Sequence, residues 1–375
     1  MKNRTVFLSA GGTGGHLFPA EALAHELIAR DWQVHLLTDK RAEKFTEQFP
    51  AEKIHIIRSS TFASKNPIAI IRTLNELLKG YGQSRRLMNQ FEPQAVVGFG
   101  GYPTLPPLFA ARRADIPIIL QEQNAILGRA NRSLVSTAKA IAVGFPQVGA
   151  SGDLANKTVV TGNPLRPPVK RAAKHAYSVA GEDDEFNLLI FGGSQGAHFF
   201  SVVLPEALAL ITVAQRQRLR IVQQARPEDE QALTEAYHRL GIEAEVSPFF
   251  DHMPMRIEDS HLVICRAGAS SVAELTAIGR PSILVPLPHS LDGDQAANAV
   301  DLAGKKGSWI VPQAELSAEK LCTMLLRAMD DPDSLSKMAS TAKLAAMPNA
   351  AERLAELVEH VADGGEVSAY KDSSE

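Results

Sequence analysis

Ser9-Ala10-Gly11-Gly12-Thr13-Gly14-Gly15-His16 follows the apolar run Thr5-Val6-Phe7-Leu8 and precedes a stretch in which Ala20, Leu23, Ala24, Leu27 and Ile28 recur at helical spacing. The order is strand, glycine turn, helix. A helix N-terminus carries unpaired N–H groups and partial positive charge, and glycine lets a ligand approach the backbone. The stretch therefore reads either as a plain tight turn after the first strand of an α/β domain or as a phosphate or sugar-phosphate site.

Outward from this stretch, strands are predicted over 33–38, 54–57, 95–98, 116–120 and 158–160, with helices over 19–30, 67–89 and 107–113 between them. Such alternation predicts a parallel sheet covered on both faces. Thr161-Gly162-Asn163-Pro164-Leu165-Arg166-Pro167-Pro168 reads as a hinge. After it, Asn187-Leu188-Leu189-Ile190-Phe191 runs into Gly192-Gly193-Ser194-Gln195-Gly196-Ala197 and a helix with Phe200, Val203, Leu204, Ala207 and Leu208 apolar. The opening layout has returned one domain later. Further strands fall near 220–223, 243–246, 261–265 and 281–285. A terminal helix over 350–362 presents Leu354, Leu357, Val358 and Val361, and the residues from Gly364 onward read as a frayed polar tail.

The predicted fold class is α/β, two doubly wound Rossmann-like domains facing across a cleft. The expected bounds are 1–161 for the N-terminal domain, 162–186 for the hinge and second-domain entry, 187–343 for the C-terminal domain, 344–363 for the terminal helix and 364–375 for the tail.

The 375 residues suffice for two cores, and 45% hydrophobic with 22% charged residues is ordinary for a soluble globular protein. A net charge of −3 gives no overall drive toward nucleic acid, which is not an expected partner. Cys265 and Cys322 lack metal-ligand spacing and suggest a reducing compartment. The apolar run after Lys2 and Arg4 is too short for a signal peptide, and the uncharged stretch 95–111 is broken by glycine and proline.

Neither glycine turn fits a dinucleotide fingerprint, because the third glycine would fall on Leu17 or Pro19, and neither closes with the Gly-Lys-Ser/Thr of a P-loop. Asp39 ends the second strand, where a dinucleotide enzyme holds a ribose, so an NAD(P)-binding oxidoreductase is the alternative from another class. Polar groups gather instead at six strand exits: 11–16, 98–102, 121–124, 192–196, 266–274 and 289–298. Ligands of open α/β sheets bind at such exits.

The motifs Gly11 to His16, Gly100-Gly101-Tyr102, Glu122-Gln123-Asn124, Gly162-Asn163-Pro164-Leu165-Arg166, Gly192 to Ala197, Cys265-Arg266-Ala267-Gly268-Ala269, Glu274, and Asp294-Gln295 with Asn298 occur in that order. Together they resemble the MurG family of bacterial N-acetylglucosaminyltransferases, over about Ser9 to Asn298. The resemblance implies a GT-B fold whose C-terminal helix crosses back to the first domain. It implies inverting transfer of N-acetylglucosamine from UDP-GlcNAc to the 4-hydroxyl of the muramoyl sugar of lipid I, giving lipid II for peptidoglycan. The expected place is the cytoplasmic face of the inner membrane, held peripherally. Expected partners are UDP-GlcNAc, lipid I, an anionic membrane surface and other cell-wall synthesis proteins. No cofactor is required and no metal site is expected, a divalent cation being at most non-essential. A non-catalytic nucleotide-sugar binding protein is a further alternative.

Carried over residue by residue, the resemblance puts donor contacts at Thr13, Gly14, Gly15, Asn124, Arg166, Ser194, Phe250 (or Phe249), Arg266, Ala269, Ser270, Ser271, Glu274, Gln295 and Asn298. Tyr102 and Gln123 fall on the acceptor side. A carboxylate such as Glu274 can accept from both ribose hydroxyls, and Arg166 can neutralise the departing UDP. Inversion needs one base for the acceptor hydroxyl, and His16 and Glu122 are both candidates. The positive helix end disfavours imidazolium at His16. Three positions depart from the pattern: Gln121, Thr104 and Asp294. The Asp292-Gly293-Asp294 run imitates a metal-holding aspartate pair of other glycosyltransferases.

The segment 65–88 carries Lys65, Arg72, Lys79, Arg85 and Arg86 among Ile68, Ile70, Ile71, Leu74, Leu77, Leu78, Leu87 and Met88. It reads either as a core helix with a charged face or as a shallow membrane-facing patch.

Overall fold

A computed structural model describes residues 4–42, 47–60, 66–148, 152–193 and 196–374. The expected donor contact Ser194 and the basic Lys65 lie outside the described residues. The chain divides into two compact units, residues 1–166 with 347–375, and residues 167–346.

In the first unit, seven parallel strands are ordered β3-β2-β1-β4-β5-β6-β7: β1 Arg4–Ser9, β2 Trp32–Thr38, β3 Lys53–Ile56, β4 Ala95–Gly98, β5 Ile118–Glu122, β6 Ala140–Val143 and β7 Thr158–Val160. The registers include Val6↔Val34 and Ser9↔Gly98. The order reverses between β1 and β4, so the exits of these two strands flank the topological switch point. Helix α1, Gly14–Ala29, buries Leu17, Ala20, Leu23, Ala24 and Leu27 against Val6, Leu8 and Val34. β5 begins two residues later than the sequence suggests and extends through Glu122. Asp115 takes a left-handed φ of 54°, and Pro117 has no N–H for a ladder.

Helix α2, Pro67–Phe91, starts on an Asn66 side-chain cap to the Ile68 N–H at 3.0 Å and ends at left-handed Glu92. It packs against α3, Leu105–Arg113. The positions α2 buries are Thr73, Gly80, Ser84 and Met88. A Cβ on Gly80 would collide with the Arg58 carbonyl oxygen, so glycine permits a close approach there. The large aliphatics point outward instead: Ile68 is 76% exposed, Ile71 67% and Leu78 69%. The core-helix reading is thereby corrected. Thr73, Gly80, Ser84 and Met88 make the packed face, and Ile68, Ile71 and Leu78 do not.

The second unit repeats the pattern, with six parallel strands ordered β10-β9-β8-β11-β12-β13: β8 Phe186–Phe191, β9 Leu219–Gln224, β10 Glu243–Ser247, β11 Leu262–Cys265, β12 Ser282–Leu284 and β13 Trp309–Ile310. Its order reverses between β8 and β11, paired at Ile190↔Ile264. Helices α4 His198–Ala209, α5 Ala269–Ile278, α6 Asp294–Gly304 and α7 Ala318–Asp330 follow β8, β11, β12 and β13. Phe186, Leu188, Phe200, Leu204 and Ile264 lie in one core. β6 and β13 are absent from the sequence reading, and the two residues of β13 are too few for a periodic signal.

The chain then returns to the first unit. Helix α8, Ala350–Ala362, puts Leu354, Leu357, Val358 and Val361 into the same core as Leu23 and Leu27. Glu359 there accepts from Arg30 at 2.9 Å and from the Trp32 indole at 3.1 Å. The residues beyond Gly364 are not a frayed tail. Gly364 turns at φ 84° and Val367–Ser374 forms helix α9. Val367 and Tyr370, one helical turn apart, are buried in the core, and the Tyr370 hydroxyl donates to the Arg353 carbonyl at 2.9 Å.

Candidate active site

The first unit's candidate site grows from the β1 and β4 exits. The Gly11 N–H donates to the Gly100 carbonyl at 3.1 Å, joining the two turns across the switch point. His16, in the first turn of α1, fits into the space this leaves. A Cβ on Gly11 would stand 3.1 Å from its Nδ1, one on Gly100 3.4 Å from its Nε2, and one on Gly101 3.5 Å from its Cε1. Gly100 and Gly101 also sit at φ 90° and 81°. The glycines thus serve the imidazole as well as any ligand.

Thr13 is the N-cap of α1, and its hydroxyl lies 3.0 Å from His16 Nδ1. That contact leaves Nε2 as the nitrogen available for proton transfer when Nδ1 carries the hydrogen. Burial lowers the His16 pKa to about 4, helped by the positive charge of Arg41 and opposed by Asp39. The imidazole is neutral at pH 7. Asp39 and Arg41 pack against the glycine turn so closely that a Cβ on Gly12 would collide with both. Arg41 donates through Nε and Nη2 to Asp39 Oδ2, at 2.8 and 2.6 Å. Asp39 is therefore committed to an arginine, which removes the feature that suggested a dinucleotide ribose.

Glu122, the other candidate base, is buried at the end of β5 with both oxygens occupied. Oε1 accepts from the Asn124 N–H and amide at 3.1 and 3.3 Å, and Oε2 accepts from the Gly128 N–H at 2.8 Å and Asn131 Nδ2 at 2.9 Å. Four donors stabilise a carboxylate that ties the 124–128 loop to the helix Arg129–Leu134. Asn131 was not singled out in the sequence, having no glycine run or charge to mark it.

Gln123 turns inward: its amide donates to the Phe99 carbonyl at 2.9 Å and to Gln121. Asn163, from the hinge motif, donates to the Gln123 carbonyl at 2.9 Å. Gln123 is thus 3% exposed and braces the sheet end, a correction to its expected place on the acceptor side. Tyr102 is half-buried and opens the 3₁₀ turn Tyr102–Thr104. Arg166 stacks its guanidinium 3.7 Å from the centre of the Phe18 ring and lies 4.0 Å from Glu21, both on α1.

The second unit carries the other expected contacts at the β8, β11 and β12 exits. The Gly192 N–H donates to Gln224 Oε1 at 3.1 Å, and Gln224 Nε2 donates to the Pro248 carbonyl at 3.2 Å. One buried glutamine at the end of β9 therefore links the glycine turn to the segment bearing Phe249 and Phe250. Phe250 is buried beneath Arg256, whose guanidinium is 4.8 Å from the ring centre, whereas Phe249 is 54% exposed. The aromatic face open to a base is that of Phe249, which corrects the choice of Phe250.

Arg266 is also turned inward. Nη1 donates to the Val285 and Pro286 carbonyls at 3.1 and 3.3 Å, and Nη2 to Gln313 Oε1 at 2.6 Å. Burial lowers its pKa. It fastens the β11 exit to the β12 and β13 exits instead of presenting a fork to a nucleotide. Ala269, Ser270, Ser271 and Glu274 lie along α5, with Ala269 buried and Ser271 and Glu274 half-buried. The buried Ser270 hydroxyl has no partner among the described residues. Fully buried Asn298 donates to the Ala267 carbonyl at 3.1 Å, and Gln295 Oε1 accepts from the Leu287 N–H at 2.9 Å, leaving the Gln295 NH2 for a ligand. Asp294, the first residue of α6, accepts from the Gln295 N–H at 2.8 Å. Among the described residues, no three His, Cys, Asp or Glu side chains converge as a metal site.

Comparisons with known proteins bear on the family and the fold. Residues 6–143 match the Glycosyltransferase family 28 N-terminal domain and residues 187–354 match the Glycosyltransferase family 28 C-terminal domain. The chain is 55% identical over 372 residues to the UDP-N-acetylglucosamine--N-acetylmuramyl-(pentapeptide) pyrophosphoryl-undecaprenol N-acetylglucosamine transferase of Chelativorans sp., covering 99% of both chains. It is 53% identical over 369 residues to the protein of the same name from Brucella suis, covering 98% of this chain and 97% of the relative. The crystal structure of Acinetobacter baumannii MurG is similar with a TM-score of 0.74 at 31% identity, covering 95% of this chain and 99% of that one. Two glycine-turn Rossmann units, matched over most of their length, place this chain in glycosyltransferase family 28.

Proposed function

We propose that the chain is an inverting N-acetylglucosaminyltransferase that moves GlcNAc from UDP-GlcNAc to the 4-hydroxyl of the N-acetylmuramyl sugar of lipid I, releasing UDP and forming lipid II. The observation that carries the site assignment is the placement of His16, with Nδ1 at the Thr13 hydroxyl and Nε2 beside Gly100, where burial lowers its pKa to about 4. Glu122, with four donors on its two oxygens, acts as a positioning residue.

In this reading Nε2 of His16 takes the acceptor hydroxyl proton as that oxygen bonds to the anomeric carbon. The bond from the anomeric carbon to the diphosphate oxygen breaks on the opposite face, and its electron pair leaves with UDP. Backbone N–H groups of the glycine turns stabilise the diphosphate charge. On the second unit, Glu274 receives the ribose hydroxyls, Phe249 covers the uracil, and Gln295 donates its NH2 to the sugar. In this reading no step uses a metal, so a chelator should leave turnover unchanged.

The exposed aliphatic face of α2, with Arg72, Arg85 and Arg86 exposed on the same helix, supports peripheral attachment to an anionic membrane surface, where a lipid-linked acceptor resides. Among the described residues, no helix is long and apolar enough to cross a membrane.

The deciding experiment measures UDP release from UDP-GlcNAc with and without a lipid I analogue. Release that requires the analogue is expected. Acceptor-independent release, or none at all, overturns the proposal.

A further inference from the structure

The second unit carries a groove of about 350 Å³ at its β13 edge, away from the strand exits already described, lined by Ala303, Ser308, Trp309, Ile310, Met324 and Arg327 among others. β13 is the last strand of its sheet and pairs only with β12. The Val311 N–H donates inward to the Leu284 carbonyl at 3.0 Å. In a parallel ladder, backbone groups alternate in direction, so the N–H and C=O of Ile310 face the open edge.

Three further observations make this edge more than an unpaired strand. Ser308, 4% exposed, lines the groove, and its buried hydroxyl has no partner among the described residues. Trp309 and Met324 supply an apolar floor, with the Arg327 guanidinium 5.4 Å from the Trp309 ring centre. Lys320 also lines the groove, and Lys306 lies two residues before Ser308 in the turn that enters β13. Lys320 has an acidic partner in Glu315 at 3.4 Å, an exposed pair that water and salt weaken, and Glu319 precedes it on the same helix. The groove is therefore cationic, part apolar, and bordered by an outward-facing backbone donor and acceptor.

We propose that this groove docks a short, extended, acidic segment of a partner protein. The segment adds to the β13 edge through the Ile310 N–H and C=O, rests an apolar side chain on Trp309 and Met324, and places a carboxylate between Lys320 and Arg327. A two-residue strand offers few backbone bonds, so charge does most of the selecting.

A phage-displayed library of random twelve-residue peptides, panned on the full-length protein, tests the idea. Enriched peptides should share alternating apolar and acidic residues. Synthetic copies should quench Trp309 fluorescence saturably. The double variant K320E/R327E should weaken their binding at least tenfold with an unchanged melting temperature, and Ile310→Pro should weaken it further. Should the proline variant fail to fold, K320E/R327E alone decides. Enrichment of basic or uncharged peptides, no enrichment, or affinity indifferent to K320E/R327E overturns the proposal. So does concentration-dependent self-association that the double variant abolishes, since the occupant would then be a second copy of the chain. Transferase turnover does not enter the readout, so failure here leaves the catalytic reading untouched.

Discussion

The Thr13 hydroxyl lies 3.0 Å from Nδ1 of His16, closing the first turn of α1 around its own imidazole. The hydroxyl can accept from Nδ1–H, which frees the Nε2 lone pair for the acceptor. Thr13→Val removes that acceptor and should lower kcat about 10- to 100-fold with donor KM nearly unchanged, while Thr13→Ser should retain most activity. His16→Ala should cost about 10²- to 10⁴-fold in kcat. Steady-state kinetics with varied UDP-GlcNAc separates the two constants.

Acid should act on this site late. With the His16 pKa lowered to about 4, kcat/KM should hold down to about pH 5 and fall only as the ring protonates below that. Arg41 is one cause of the lowering, so Arg41→Met removes a cation and must move the acid limb to higher pH. Stability follows a related course. His16 and His55 both have pKa values lowered to about 4 by burial, so below about pH 6.5 the unfolded chain binds protons that the native state refuses. Stability should be flat above that pH and decline between about pH 6.5 and 4. Melting temperatures across this range measure it.

Glu122→Gln distinguishes a positioning carboxylate from a base. The substitution sets an NH2 group against donors from Asn124, Gly128 or Asn131 and should cost about 1–3 kcal/mol of stability. Turnover should fall, yet the pH profile should keep its acid limb, because the titrating group is His16. A profile that loses that limb in Glu122→Gln would assign the base to Glu122.

The two adjacent phenylalanines should part company on mutation. Phe250→Ala removes a buried ring and should destabilise the protein by about 3–5 kcal/mol. Phe249→Ala should leave the melting temperature within about a degree and raise donor KM roughly tenfold. Thermal unfolding and donor titration on the same preparations check both.

On α2, Ile71→Asp and Leu78→Asp replace exposed side chains and should leave stability within about 0.5 kcal/mol. Co-sedimentation with vesicles containing anionic lipid should nevertheless drop severalfold. Binding that ignores lipid charge, salt and both substitutions would remove α2 from the membrane reading.

The two glycine turns were legible in the sequence because each follows a continuous apolar strand and opens an apolar-striped helix, the same arrangement at β1 and at β8. Their neighbours in space were harder to read. Glu122 owes its four donors to residues as far as Asn131, nine positions on, and no local pattern announces that a loop will close on a carboxylate. Arg266 has the residue type of a phosphate ligand, but the carbonyls of Val285 and Pro286, from another strand exit, draw its guanidinium inward. Helix α9 gives little signal in the sequence, because its buried apolar residues are only Val367 and Tyr370, set among polar ones. In α2 the aliphatics were plain, but which face was packed depended on Gly80 and Ser84, whose smallness carries no hydrophobic period.

The return of α8 and α9 bears on how the protein is made. The first unit's core includes Leu354, Val358, Val361 and Tyr370, residues synthesised after the whole of the second unit. The first unit, though begun first, must wait with Leu23 and Leu27 uncovered until residues 354–370 have been made. The second unit, continuous from 167 to 346, has its whole core available earlier. Vectorial synthesis therefore reverses the order of the chain: the later half settles first, and the nascent N-terminal half is the part that needs chaperone protection.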